Sequence, residues 1–149
     1  MPIIGPGIVV GAGITVTNTP GVVSTGLIVS LDAGNPASYS GSGTVWADLS
    51  GNSRNAIPGP GFPTFSTNTM AFNATNQGLN LQNYASPTAD NFTYEVWCKP
   101  NATRQVSPES TTGTEVQTGD IGFVKAYNGI LTLADVQGLY TQYKSRFGY

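Results

Sequence analysis

The segment 27–56, LIVSLDAGNPASYSGSGTVWADLSGNSRNA, contains side chains that could bind a calcium ion or a sugar. The residues of this candidate rim are Asp32, Asn35, Tyr39, Trp46, Asp48 and Asn52. Calcium takes about six to eight oxygen ligands, which the carboxylates and amides of such a rim would supply. Tyr39 or Trp46 could stack on a sugar ring.

The same residues also have a structural interpretation. Asp and Asn beside glycine form hydrogen bonds with the backbone of their own turns, and DLSGN (48–52) has the composition of a turn. A tryptophan flanked by Val45 and Leu49 is typical of a core position. We therefore expect turns here, with ligand binding at the rim as the alternative.

Glu95 is the one carboxylate that its predicted strand, NFTYEVWCKP, offers for catalysis, with Thr93 and Trp97 on the same face. A retaining glycosidase needs two carboxyl groups about 5 Å apart, and no second one lies nearby in sequence. The chain has no histidine, and its single cysteine, Cys98, excludes an internal disulfide and a cysteine-based zinc site. We predict that the protein is not an enzyme and has no cofactor. The Glu95 face would be a sugar-binding surface, a half-buried sheet surface or a subunit contact.

The charge content points to an assembly. Charged residues make up 9% of the 149 residues, whereas an average soluble domain has about 25%. So weakly charged a surface suits a chain that touches neighbours in a large particle. The net charge of −2 leaves no basic patch for nucleic acid.

Residues 1–26 precede the first charged residue and are apolar, but glycine and proline interrupt them throughout. The basic start and unbroken apolar run of a signal peptide are missing, as are the about 20 apolar residues without proline or glycine that a membrane-spanning helix needs. We predict an extended arm that needs a partner surface, with a disordered terminus as the alternative. The partner-binding side chains of the arm would be Ile3, Ile4, Ile8, Val9, Val10, Ile14 and Val16.

Alternating apolar and polar residues predict β-strands as the elements that position these side chains. The inward-facing sets would be Leu27, Val29 and Leu31; Met70 and Phe72; Leu79 and Leu81; Phe92, Tyr94, Val96 and Cys98; Ile121, Phe123 and Tyr127. Thr93, Glu95 and Trp97 would face the other way, and Lys125 would share the face of Phe123. Short strands at this spacing predict an all-β sandwich or barrel.

The C-terminal segment TLADVQGLYTQYKSRF predicts an α-helix over 132–147. Its apolar residues recur at intervals of three and four and form one stripe: Leu133, Val136, Tyr140, Tyr143 and Phe147. Thr132 and Asp135 have the spacing of a capping box. We expect the stripe to pack against the edge of the sandwich.

Three segments, in this order, resemble laminin G-like, concanavalin A-like jelly-roll domains of virion proteins of tailed bacteriophages. They are LDAGNPASYSGSGTVWADLSGNSRNA, NFTYEVWCKP and IGFVKAYNGILTLADVQGLYTQYKSRFGY. The resemblance covers 27–100 and 120–149 and implies two antiparallel sheets packed face to face, with the jelly roll over 27–149 following the arm. Such domains have further strands where this chain has only the polar loop 100–119. A shortened sandwich would have exposed edges, which invite strand addition from another chain.

The resemblance also implies a function. The expected protein is a structural virion subunit that decorates the capsid as a cement protein, held by its arm. Its partners would be the major capsid protein or other virion subunits and copies of itself, with a trimer expected. The alternative is a carbohydrate-binding module of a tail or capsid fibre that contacts the host surface. Tyr39, Tyr84 or Trp97 on an open face would favour this alternative, and buried aromatic rings would favour cement.

Overall fold

The computed structural model of the protein describes residues 23–72, 77–84, 91–100 and 119–149. The apolar arm residues from Ile3 to Val16 and the polar loop lie outside the described residues, so the predictions made for them stay predictions. The strands belong to one unit, Ser24–Leu131, and the C-terminal segment Thr132–Tyr149 belongs to another.

The described residues are mostly β-structure, with antiparallel sheets and one short C-terminal α-helix, and at this level the prediction is confirmed. The strands are β1 (Leu27–Asp32), β2 (Ala56–Pro58), β3 (Thr64–Ser66), β4 (Thr69–Phe72), β5 (Leu79–Leu81), β6 (Thr93–Pro100) and β7 (Gly119–Tyr127). The helix α1 (Leu133–Tyr143) is followed by a 3₁₀ helix (Lys144–Phe147).

Strand β7 is the centre of the larger, five-stranded sheet. One edge of β7 pairs with β6 along the whole length of both strands. The other edge is divided, since β1 pairs with 123–127 and β4 pairs with 119–121. Strand β3 extends the sheet beyond β4, while β2 and β5 form a separate two-stranded sheet. Strand β7, the last strand in the sequence, therefore pairs with β1, β4 and β6 and holds the sheet together.

A bulge in β7 corrects one predicted face. Trp97 pairs with Phe123, but the next residue of β6, Cys98, pairs with Ile121, so Gly122 is an extra residue. An extra residue interrupts the alternation of a strand. Ile121 therefore lies on the opposite face from Phe123, across from the buried Met70 of β4. The prediction that Ile121 and Phe123 share a face was wrong, because strict alternation assumes an unbroken strand.

The hydrophobic core lies on the Ile121 face of the sheet. Val29 of β1 pairs with Ala126 of β7, and both side chains are buried. The core is completed from the same face and from the segments after β1 by Leu31, Ala33, Tyr39, Trp46, Ala56 and Met70. The inward faces predicted for β4 and β5 agree with this core, as do Val29 and Leu31 of β1. The prediction that Leu27 shares their face was wrong, because Ile28 is an extra residue in β1. Leu27 pairs with Tyr127 on the opposite face, and Ile28 packs against the core instead.

Strand β6 departs from its prediction. Tyr94 packs against the core, but Phe92 and Val96 are 38% and 36% exposed although they were predicted to face inward. Within the described part of the chain β6 pairs only with β7, so no described strand lies beyond it to cover these side chains. On the opposite face of β7, Phe123 and Tyr127 are fully buried, so both faces of this strand are covered.

Helix α1 begins where the sequence predicted, but its apolar stripe is more exposed than we expected. Thr132 and Asp135 form the capping box, in which each side chain bonds to the backbone N–H of the other. Leu133, Val136 and Tyr140 of the stripe are 73%, 49% and 50% exposed. The buried residue of α1 is Leu139, beside the stripe. Three of the five residues of the predicted stripe are therefore exposed, and the packing of the stripe against the sandwich stays a prediction.

We expect Thr132→Ala to destabilise α1 by about 1 kcal/mol, because the change leaves the Asp135 N–H without its side-chain acceptor. The loss of helical signal in far-UV circular dichroism on heating measures the effect. Thr141→Ala is the matched control, since Thr141 lies within the helix and bonds only back to the Gln137 carbonyl. An equal effect of both changes would contradict the capping role.

Candidate functional site

Asp48, a central residue of the predicted rim, is occupied by internal hydrogen bonds. Its Oδ1 accepts the N–H groups of Ser30 and Ser50 at 2.8 and 2.9 Å. Its Oδ2 accepts the Ser50 hydroxyl at 2.7 Å and the Arg54 N–H at 3.0 Å. Partial burial alone would raise the pKa of this carboxyl, but the hydrogen bonds from Ser50, Ser30 and Arg54 outweigh it and hold the pKa below its usual value.

The turn around Asp48 closes the outer edge of β1. The Ile28 carbonyl accepts Ser50 Oγ at 3.1 Å, Arg54 Nη1 at 2.9 Å and Asn52 Nδ2 at 3.3 Å. The Ser30 carbonyl accepts the Leu49 N–H at 2.8 Å. These contacts replace the hydrogen bonds that another strand would make with β1. We call residues 48–54 the edge-capping turn.

Asp32 and Asn35 lie in a second turn, directly after β1. Asp32 Oδ1 accepts the Gly34 N–H at 2.9 Å, and Asn35 Oδ1 accepts the Ala37 N–H at 3.0 Å. Ser38 connects the two turns, because its hydroxyl accepts the Asp32 N–H at 3.1 Å and donates to the Ala47 carbonyl at 2.5 Å. The two predicted rim aspartates thus belong to turns that share a buried serine.

The two candidate stacking rings lie in the core. Trp46 is 1% exposed and Tyr39 is 6% exposed, so neither ring has a free face for a sugar. Tyr39 packs against Phe62 and Phe65, and its hydroxyl donates to the Gly43 carbonyl at 2.8 Å. These positions agree with the core interpretation that the sequence left beside the stacking one.

A calcium site at the rim stays a prediction. The described ranges contain no group of three or more His, Cys, Asp or Glu side chains that could hold a metal ion. The amide of Asn52 is turned toward the backbone of β1 and toward Ser50. The geometry found at the rim is that of side chains that organise turns.

A buried polar group on β6 and β7 was not predicted. Glu95 pairs with Lys125 in the sheet, and Lys125 Nζ lies 3.9 Å from Glu95 Oε2. The Tyr127 hydroxyl donates to the same oxygen at 3.1 Å, and the Lys125 ammonium also lies 5.0 Å from the centre of the Phe123 ring. The sequence placed Glu95 and Lys125 on sheet faces, but their contact depended on knowing that these two strands pair, and in which register.

Burial raises the pKa of Glu95 above its usual value, and the attraction of Lys125 and the hydrogen bond from Tyr127 only partly offset the change. The side chains of Lys125 and Glu95 are 9% and 18% exposed. The Glu95 carboxylate thus joins two paired strands through contacts with Lys125 and Tyr127. Among the described residues this group has one carboxyl group, Glu95, whereas a retaining glycosidase uses two.

The other aromatic residues named for glycan binding are also engaged. The Tyr84 and Tyr94 hydroxyls lie 2.5 Å apart, and Arg54 lies over the Tyr84 ring at 5.9 Å. Burial, together with the Tyr94 hydroxyl, raises the pKa of Tyr84. Trp97 is half-buried, with its ring 6.1 Å from that of Phe123. Tyr84 and Trp97 are thus half-buried and in contact with other side chains.

Comparisons with known proteins add no assignment, since no family model, curated protein or solved structure matches the chain. In the part that the structure describes, no helix has the length and apolar character needed to cross a membrane.

Proposed function

We propose that the protein is a structural subunit of a virion, a decoration or cement protein on the capsid of a tailed phage. Its two sheets would be the faces of a shortened jelly-roll sandwich, and its N-terminal arm would hold it on the shell. The jelly-roll and phage assignments rest on the resemblance of three sequence segments, and the described antiparallel sheets are compatible with them.

The exposed apolar stripe on α1 is the observation that carries an assembly function. Leu133, Val136 and Tyr140 lie on one side of the helix and are largely open to solvent. Large apolar side chains at helical spacing on a surface are typical of a contact with another protein. Charged residues that would keep such a surface apart from neighbours make up only 9% of the chain. We assign the occupant of this stripe to another virion subunit.

The aromatic residues favour assembly over glycan binding. Tyr39 is in the core, and Tyr84 and Trp97 are half-buried against other side chains. A carbohydrate-binding surface needs rings whose faces are accessible. The core position of Tyr39 supports the cement proposal over the glycan-binding alternative.

Sedimentation with purified capsids that lack this protein tests the proposal. We expect the full chain to sediment with the capsids and a chain that starts at Thr25 to stay in the supernatant, because the arm is the proposed anchor. The double variant Val136→Glu, Tyr140→Glu should bind at least about tenfold more weakly, since it places charge on the stripe.

The matched control is Ala134→Glu, Thr141→Glu, which adds the same charges to the other exposed side of α1. This control should bind as the unaltered chain does. If the full chain itself stays in the supernatant, capsid decoration is excluded, and an array of host-surface glycans, with and without calcium, becomes the next screen.

A further inference from the structure

The outer strands of the larger sheet are β1, β3 and β6, and the outer edges of β1 and β6 differ in how they are covered. The edge-capping turn covers β1 through the Ser30 N–H and the Ile28 carbonyl. Strand β6, at the opposite edge, pairs with β7 over eight residues and with no other described segment. In such a strand, alternate residues direct their N–H and C=O groups away from the sheet, ready to pair with another strand.

Strand β6 has few of the features that protect an edge. Lys99 and Pro100 stand at its end, and the charge of Glu95 is used by Lys125 and Tyr127 on the buried face. The core face of the strand instead carries Val96, which is partly uncovered, and Phe92, just before the strand, is also partly uncovered. A further strand beside β6 would bond to its backbone and cover both.

The arm has the composition of such a strand. Between Pro6 and Pro20 the sequence GIVVGAGITVTNT contains no proline and no charge, and it is longer than β6. In its second half, Ile14 and Val16 alternate with Thr15 and Thr17. β-Branched residues in alternation favour a half-buried strand, and the absence of proline leaves every N–H free to pair.

The position at which the chain enters the sheet favours the arm of another copy, and not its own arm, as the partner of β6. The Leu27 N–H donates to the Ser24 carbonyl at 3.1 Å, so the chain reverses direction just before β1. Gly26 has φ +73° in this turn, and a Cβ there would lie 2.9 Å from the Asn128 carbonyl oxygen. The chain thus joins the sheet at β1, and β7 lies between β1 and β6.

We propose that residues 7–19 of a second copy add to the outer edge of β6 as a strand. The inference deepens the proposed function, on which it rests, by naming the contact between subunits. It is tested on the free protein without capsids, so that a failure of capsid binding and a failure of strand exchange give different results.

Cross-linking between two differently marked copies is the direct test. Both carry Cys98→Ala in the full chain; one also carries Val16→Cys or Ile14→Cys, and the other Val96→Cys. We expect mild oxidation of the mixture to give a disulfide-linked heterodimer. Val45→Cys is the matched control, because Val45 is exposed but lies outside the strands, and it should give at least tenfold less product.

Equal yields from the Val96 and Val45 variants, or no heterodimer, would overturn the proposal. A single chain that carries both Val16→Cys and Val96→Cys and forms only an intrachain disulfide would overturn the assignment to a second copy. As a second measurement, Ile14→Lys, Val16→Lys should convert the oligomer seen by analytical ultracentrifugation to monomer, whereas Thr15→Lys, Thr17→Lys should not. An unaltered mass for the first variant would also contradict strand exchange.

Discussion

Replacing Asp48 by alanine is expected to lower the free energy of unfolding by about 2–3 kcal/mol, as measured by urea denaturation. The change removes the acceptor for the N–H groups of Ser30, Ser50 and Arg54 and for the Ser50 hydroxyl. It also releases the edge-capping turn from β1. Because the site is half-buried, water will replace some of these hydrogen bonds, which keeps the effect below the sum of four lost bonds.

Asp32→Ala is the matched control for Asp48→Ala. Asp32 accepts the Gly34 N–H within its own turn, so we expect a loss of about 1 kcal/mol. Calcium adds a second readout, since a ligand that binds only the folded state raises its stability. A calcium-dependent gain in stability that Asp48→Ala abolishes would show that the turn is an ion site; the edge-capping role predicts no gain.

The pH dependence of Asp48 follows from its lowered pKa. The unfolded chain binds a proton at the usual pKa near 3.8, whereas the folded protein binds it only at lower pH. The stabilising contribution of this carboxylate is therefore complete well above pH 3.8 and is lost as the pH falls toward the folded-state pKa. Asp48→Asn should remove this part of the acid sensitivity.

The second large effect is expected for Lys125→Met, which should cost about 3–5 kcal/mol near neutral pH. The substitution keeps an unbranched side chain but leaves the Glu95 carboxylate buried without its partner cation. Urea denaturation at several pH values measures the loss. We expect the difference between variant and unaltered protein to shrink in acid, because protonated Glu95 no longer needs a positive neighbour.

Two further variants make the interpretation specific. Lys99→Met changes an exposed lysine on the same strand as Glu95 and should shift stability by less than about 0.5 kcal/mol. The double variant Lys125→Met, Glu95→Gln should recover much of the loss, since it removes both charges together. If the double variant is as unstable as Lys125→Met, the lysine acts through packing and the ion pair contributes little.

Glu95 gives a pH dependence opposite in sign to that of Asp48. Its pKa in the folded protein lies above the usual value near 4.5, so the folded state holds its proton more tightly than the unfolded chain does. The free energy of unfolding should therefore fall as the pH rises from about 4.5 through the folded-state pKa. Glu95→Gln should flatten this part of the profile, which denaturation curves from pH 4 to 8 would show.

Local patterns predicted local structure well. The apolar residues of β1 located this strand, although the extra residue Ile28 turns Leu27 to the other face. The Thr132–Asp135 spacing located the start of α1. Both depend on interactions within a few residues, which the sequence displays directly. The turn interpretation of Asp48 was available for the same reason, since aspartate beside serine and glycine bonds to nearby N–H groups.

Interactions between distant segments were not predictable in the same way. The contact of Glu95 with Lys125 depends on the register of β6 against β7, and the face of Ile121 depends on the bulge at Gly122. The capping of β1 by Asp48 joins residues 18 positions apart, through Ser30. The exposure of Val96 and Val136 depends on which other segments pack against them. Periodicity in the sequence indicates only that these positions are apolar and could be buried.

The central place of β7 has a consequence for the order of folding. Leu27 pairs with Tyr127, and β4 and β6 also need β7 before they can join the sheet. Pairs so far apart in sequence form slowly, because a long loop must close before any contact is gained. During synthesis, β1, β4 and β6 therefore wait, without their main partner, until β7 has emerged, and their apolar residues stay open to aggregation meanwhile. The yield of folded protein should thus depend on how soon β7 is synthesised after β1, β4 and β6.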